Sequence, residues 1–145
     1  MRGQRVRILI FTLPYFTILL LMHSCMTFRM SHREVDEYFK SKKVAGSQHQ
    51  YKTDVCTIHY AQSGDENKPL VLFVHGSPGS LSAFIDFLAD SVLLNKALLV
   101  TADRPGFGHS NFGIAETSLE KQAAALKPIL ERHKNNRPVI LVGHS

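Results

Sequence analysis

The sequence predicts an α/β fold built on a mostly parallel sheet. Short apolar runs, interrupted only by Thr101, occur at residues 70–74, 97–102 and 139–142, the pattern of strands buried on both faces. Helical periodicity fills the intervals between them. The runs lead into glycine-bearing stretches, "HGSPGS" at 75–80, "RPGFGHSNFG" at 104–113 and "GHS" at 143–145. Strand, helix, strand, helix, strand is the order of a sheet closed by crossovers. A chain of 145 residues holds one domain at most. The word "GHS" occurs twice, at 108–110 and 143–145, but its flanks differ and it marks no repeat.

Taken in order, the first segment reads as an export signal. Arg2, Arg5 and Arg7 precede an apolar run at residues 8–22. The run has about the length of a signal core and falls short of the ~20 residues that span a bilayer. Ser24 then precedes Cys25, which resembles a bacterial lipoprotein signal with Cys25 as the lipidated residue. An uncleaved anchor and an ordinary cleaved signal also fit these residues. The expected localisation is the cell envelope, membrane-attached and facing the periplasm or exterior, with membrane lipid as a partner.

Residues 1–24 are thus the signal or anchor segment, and residues 25–50 a tether carrying a short amphipathic helix. Ser31 and Glu34 have the S-x-x-E form of a capping box, with Val35, Tyr38 and Phe39 following at helical spacing. Residues 41–50 read as a polar connector. The main domain spans residues 51–145. Residues 55–61 read as its first strand and residues 63–69 as a turn. Residues 82–94 read as one helix with Phe84, Phe87 and Leu88 on one side. Ser118 caps a second helix, which Pro128 is expected to kink or end.

Composition narrows the function classes. The net charge is +5, with 17 basic residues against 12 acidic; the three early arginines leave 14 against 12. No basic stripe with interleaved aromatics follows, so no nucleic acid is expected as a partner. There are two cysteines, Cys25 and Cys56. With the first lipidated the second has no partner and reads as a small buried hydrophobe. No histidine or cysteine spacing suggests a metal set, and no cofactor is implied.

A serine hydroxyl that attacks a carbonyl must be lifted from the backbone, and a tight turn between a buried strand and a helix does this. Ser145 follows a four-residue apolar strand, with Gly143 two before it and His144 between. Ser110 also has a glycine two before it, but a loop precedes it and Phe112 stands two after it. Ser145 is therefore the candidate nucleophile. Its oxyanion needs aimed backbone donors. The stretch His75-Gly76-Ser77-Pro78-Gly79 can supply the N–H of Ser77, with Gly76 allowing a close turn and Pro78 stiffening the loop.

The "HGSPGS" loop, the "DRPGFGHS" loop and the "VILVGHS" elbow, in this order and spacing, resemble the N-terminal half of an α/β-hydrolase fold protein over residues 51–145. The resemblance implies the N-terminal part of a mostly parallel α/β-hydrolase sheet, truncated at the nucleophile elbow. It implies a serine hydrolase acting on a small-molecule acyl substrate, an ester or related compound. Serine at 145 argues against the branches that use an aspartate nucleophile. Asp103, Gly106, Gly108 and Ser110 shape a pocket-bordering loop, and His75 makes a structural hydrogen bond. The triad acid and histidine come later in that family's chain order, so this chain is expected to be a fragment and a poor hydrolase. The alternatives are a hydrolase-like binding protein that never had a triad, and a membrane-tethered interaction module.

Overall fold

The computed structural model describes residues 29–134 and 136–144. The expected signal or anchor segment, Cys25 and Ser145 lie outside the described residues. Five strands form one mixed sheet in the order β1-β2-β4-β3-β5. They are β1 (Gly46–Lys52), β2 (Thr57–Ser63), β3 (Leu70–Val74), β4 (Leu98–Ala102) and β5 (Val139–Gly143). The three apolar runs are β3, β4 and β5; β3 pairs in parallel with both of the others. β1 and β2 extend the sheet antiparallel beyond β4.

Helices cover both faces. On one, α3 (Leu119–Arg132) packs Leu126 and Ile129 against Ile58, Tyr60, Leu72, Leu98 and Val100. On the other, α1 (His32–Lys42) and the segment after β3 pack Val35, Phe39, Leu81, Ile85 and Leu88 against Ala61, Phe73 and Leu99. Successive residues of β3 and β4 alternate between these two cores, as the pleat requires. This is why both strands read as apolar runs, interrupted only by Thr101.

The capping box at the start of α1 is present. The Ser31 hydroxyl accepts from Glu34 N–H, and the Glu34 carboxylate accepts from Ser31 N–H at 2.7 Å. Val35 and Phe39, one turn apart, are the buried face of α1. Phe39 lies over Gly46 at the start of β1, where an added Cβ would sit 2.5 Å from the ring. The helix therefore approaches the sheet at a position that only glycine can occupy.

Several expectations are corrected. Residues 46–50, read as connector, belong to β1. That strand has almost no apolar side chains to alternate, so periodicity did not reveal it. The second strand begins at Thr57 rather than at 55, because Thr53 closes a turn: its hydroxyl accepts from Val55 and Cys56 N–H, and its own N–H donates to Cys56 O. Cys56 is buried behind this turn and free among the described residues.

The single helix expected over residues 82–94 is instead two 3-10 turns (Leu81–Phe84 and Phe87–Ala89) and a four-residue helix, α2 (Ser91–Leu94). Hydrogen bonds there span three residues, as from Ala83 to Ser80 and Leu88 to Ile85. The Asp90 carboxylate accepts from Val92 and Leu93 N–H and so starts a new helix instead of continuing the old one.

Pro128 does not end α3 early, since the helix runs on to Arg132. A proline inside a helix costs about 3 kcal/mol. Burying Leu126 and Ile129 on either side of it gains roughly 1.5–3 kcal/mol each, enough to carry the helix through. β5 was read as a buried strand, yet Val139, Ile140 and Leu141 are 46–64% exposed. Among the described residues it pairs with β3 alone, and of its four apolar side chains Val142 is the one that packs against a core.

Phe39→Ala empties the contact between α1 and β1. We expect a loss of about 3–5 kcal/mol, read as a lower urea midpoint; an unchanged midpoint counters this account of how α1 is held.

Candidate active site

In the parallel part of the sheet Val74 of β3 stands opposite Ala102 of β4 and Gly143 of β5. The loops after β3 and β4 and the chain after β5 therefore leave from one edge, the carboxyl ends of the strands, where open α/β sheets bind ligands. The segments after β3 and β4 depart toward opposite faces, one into each core. Beyond β5, His144 N–H donates to Val74 O at 3.1 Å. The chain entering position 145 is thus bonded to the last residue before His75.

His75 is 1% exposed. Its Nε2 accepts from Arg104 N–H at 3.1 Å, so Nδ1 carries the hydrogen and donates to Gly76 O at 2.7 Å. The ring packs edge-on against Phe107. It ties the loop after β3 to the loop after β4. Ser77 and Pro78 are exposed, and their peptide is cis. Among the described residues the N–H of Ser77 has no hydrogen-bond partner. Gly79 is half-buried. A cavity of about 420 Å³ opens beside this loop, lined by Arg29, Pro78, Gly79, Ser80, Ser82 and Ala83.

The far end of the loop is tied to Asp103, which is 0% exposed. Its Oδ1 accepts from Leu81 N–H at 2.7 Å. Its Oδ2 accepts from His109 N–H at 2.8 Å and lies 3.1 Å from His59 Nδ1. Gly108 curls around this carboxylate at φ +52°, where an added Cβ would come 2.0 Å from Oδ1. The carboxylate's oxygens are thus taken up inside the protein. Ser110 is equally committed: it is fully buried, and its hydroxyl accepts from His59 N–H at 2.9 Å. His109 donates from Nε2 to Met30 O.

The structure brings His75, Gly76, Ser77, Pro78, Gly79, Gly143 and His144 to one sheet edge. Two contributors went unseen in the sequence, His59 on β2 and Gln48 on β1. Both sit on strands that carry no motif, and only the folded sheet brings them under Asp103. Among the described residues no group of histidine, cysteine and acidic side chains could hold a metal ion.

Residues 69–145 match the family described as the α/β hydrolase fold. The chain belongs to the α/β-hydrolase fold family. No curated protein matches it. Among solved structures it is similar to a membrane phospholipase A described as a bacterial virulence factor. That match has a TM-score of 0.62 and 22% identity, over 93% of this chain and 43% of that one. It is also similar to the Cif epoxide hydrolase from Acinetobacter nosocomialis, with a TM-score of 0.58 and 19% identity over 78% of this chain and 36% of the other. A thioesterase domain from the curacin biosynthetic pathway aligns with a TM-score of 0.58 and 23% identity, over 70% and 37%. At these identities the likeness is one of fold. The chain spans less than half the length of each.

Burial holds His75, His109 and His133 below the ordinary histidine value of 6.5. For His75 the Gly76 carbonyl and Asp103 oppose this, and for His109 the Met30 carbonyl does so. A folded-state value below the unfolded one means that the unfolded chain binds protons first as pH falls. This stability is present above about pH 6.5 and is lost on acidification. We expect Tm to drop between about pH 7 and pH 5; a flat or rising Tm contradicts the assignment.

Proposed function

We propose that this member of the α/β-hydrolase family is a serine hydrolase acting on ester or related acyl substrates, with Ser145 as its nucleophile. The observation that carries the reading is the register of the sheet edge. With Val74 opposite Gly143, the loop bearing Ser77 and the chain leading to Ser145 start from neighbouring positions. The N–H of the exposed residue Ser77, unpartnered among the described residues, is the kind of donor that an oxyanion requires.

In this mechanism the Ser145 hydroxyl adds to the substrate carbonyl as a general base takes its proton. The carbonyl oxygen becomes an oxyanion that accepts from Ser77 N–H. Collapse expels the alcohol, which takes up the proton, and water then releases the acid by the same route. His59, His75 and His109 are engaged elsewhere in the fold, so none of the three is assigned as the base. The cavity beside Pro78 and Gly79 gives the acyl group a place to lie.

The rate of p-nitrophenyl acetate hydrolysis by the full-length gene product tests the assignment. Ser145→Ala is expected to lower kcat on the order of 10³-fold or more; an unchanged rate would falsify it.

We further propose that the N-terminal segment holds the protein at the cell envelope, facing the periplasm or exterior, with Cys25 as the lipidated residue. The support is the run of Arg2, Arg5 and Arg7, the apolar stretch at 8–22 and the Ser24-Cys25 pair. Radiolabelled palmitate should enter the wild-type protein in bacterial cells and not Cys25→Ser. Equal labelling of the two rules out this site.

A further inference from the structure

Three imidazoles meet where α1 crosses the sheet. His32 of α1 stacks on His109 with ring centroids 4.2 Å apart. Both rings stand edge-on to His59 of β2, at 4.6 and 5.2 Å. The hydrogens of this cluster follow from its partners. Gln48 of β1 donates its amide N–H groups to His32 O at 2.8 Å and to an Asp36 carboxylate oxygen at 2.7 Å. Both are acceptors, so the orientation of the Gln48 amide is set. Its oxygen is the atom 3.0 Å from His32 Nδ1 and 3.2 Å from His59 Nε2, and it can only accept. The other ring nitrogen of His59, Nδ1, faces Asp103 Oδ2 at 3.1 Å. That oxygen also accepts from His109 N–H. His59 therefore meets an acceptor on each side.

We propose that His59 carries a hydrogen on both ring nitrogens, is the countercharge of the buried Asp103 carboxylate, and through that ion pair is a positioning residue for the loop after β3.

The burial of the pair independently requires the same charge. His59 is 3% exposed and Asp103 0%. A carboxylate withdrawn from water this far needs a charged partner as well as hydrogen bonds. Its bonded neighbours are the His59 ring and the backbone N–H groups of Leu81 and His109. Of these only the ring can carry charge. The consequence reaches the candidate active site in one step. Asp103 Oδ1 holds Leu81 N–H, and the Thr101 hydroxyl donates to Leu81 O at 3.1 Å. Leu81 is the point where the loop bearing Ser77 rejoins the core. With His75 bonded to Arg104 N–H at the near end, the loop is pinned at both ends, and the far pin is the ion pair.

The proposal rests on the hydrolase reading only for what the loop is for, and its test does not use hydrolysis. Nitrogen-15 spectra of the histidine rings in the full chain, assigned through bonds and recorded in neutral buffer, read the hydrogens directly. Both ring nitrogens of His59 are expected in the protonated range; one bare ring nitrogen overturns the proposal. His59→Gln keeps a side-chain donor for Asp103 and removes the charge. In that variant the Leu81 and His109 amides are expected to exchange with solvent roughly tenfold faster, while amides of the β1–β2 ladder hold. Unchanged exchange at both amides overturns the positioning role. Should the variant not fold, the spectra of the parent chain decide. An inactive full-length enzyme with these two results in place would strike the hydrolase reading alone.

Discussion

A single buried carboxylate organises the functional edge of this domain. Asp103 lies at the end of β4, beneath two loops, and each loop gives it a backbone N–H. Water has no access to it, so these bonds are made in surroundings of low dielectric, where they are strong and a missing one is expensive. Gly108 is shaped to the same group, because any side chain there would occupy the space of the carboxylate. The loops after β3 and β4 are held to a common point, and the cavity beside Pro78 and Gly79 inherits its shape from that arrangement.

The sheet supplies the second constraint. Parallel, in-register pairing of β3 with β4 and β5 makes three strands end together. Three loops far apart in sequence, after Val74, Ala102 and Gly143, then share one rim. This brings the segment that begins at His75 beside His144 at the end of β5, although the two are far apart in sequence. The antiparallel pair β1 and β2 serves differently. It carries Gln48 and His59 to the underside of the same rim and gives α1 a surface on which to dock.

Histidines are numerous here, and the described ones near the rim serve as bonds between elements. His75 links two loops, His59 joins β2 to the end of β4, and His109 reaches back to Met30 beside α1. An imidazole is well suited to this, since each of its two ring nitrogens can donate or accept according to its partner. The segment just before α1 is tied in as well: Arg29 donates to Gly108 O and lies over Phe112. The N-terminal helix is thus bonded to the loop that borders the candidate site.

The apolar runs determined β3 and β4, because strands covered on both faces leave a nearly continuous hydrophobic signature, and the same signature located β5 although its side chains are largely exposed among the described residues. The Ser31-Glu34 box and the Val35-Phe39 spacing determined α1, because helix capping and amphipathicity are local. The glycine-bearing loops and their order were legible for the same reason, as backbone shape is written in residue type. Tertiary structure decided the rest. β1 is a strand because a neighbour and a helix enclose it, not because Gly46, Gln48 and Gln50 favour one. The segment after β3 breaks into 3-10 turns because Asp90 and Asp103 claim its backbone donors. α3 passes through Pro128 because its flanking side chains are buried. The alliance of Gln48, His59 and Asp103 spans 55 positions of chain, and residues so distant meet only once the sheet has set its strand order.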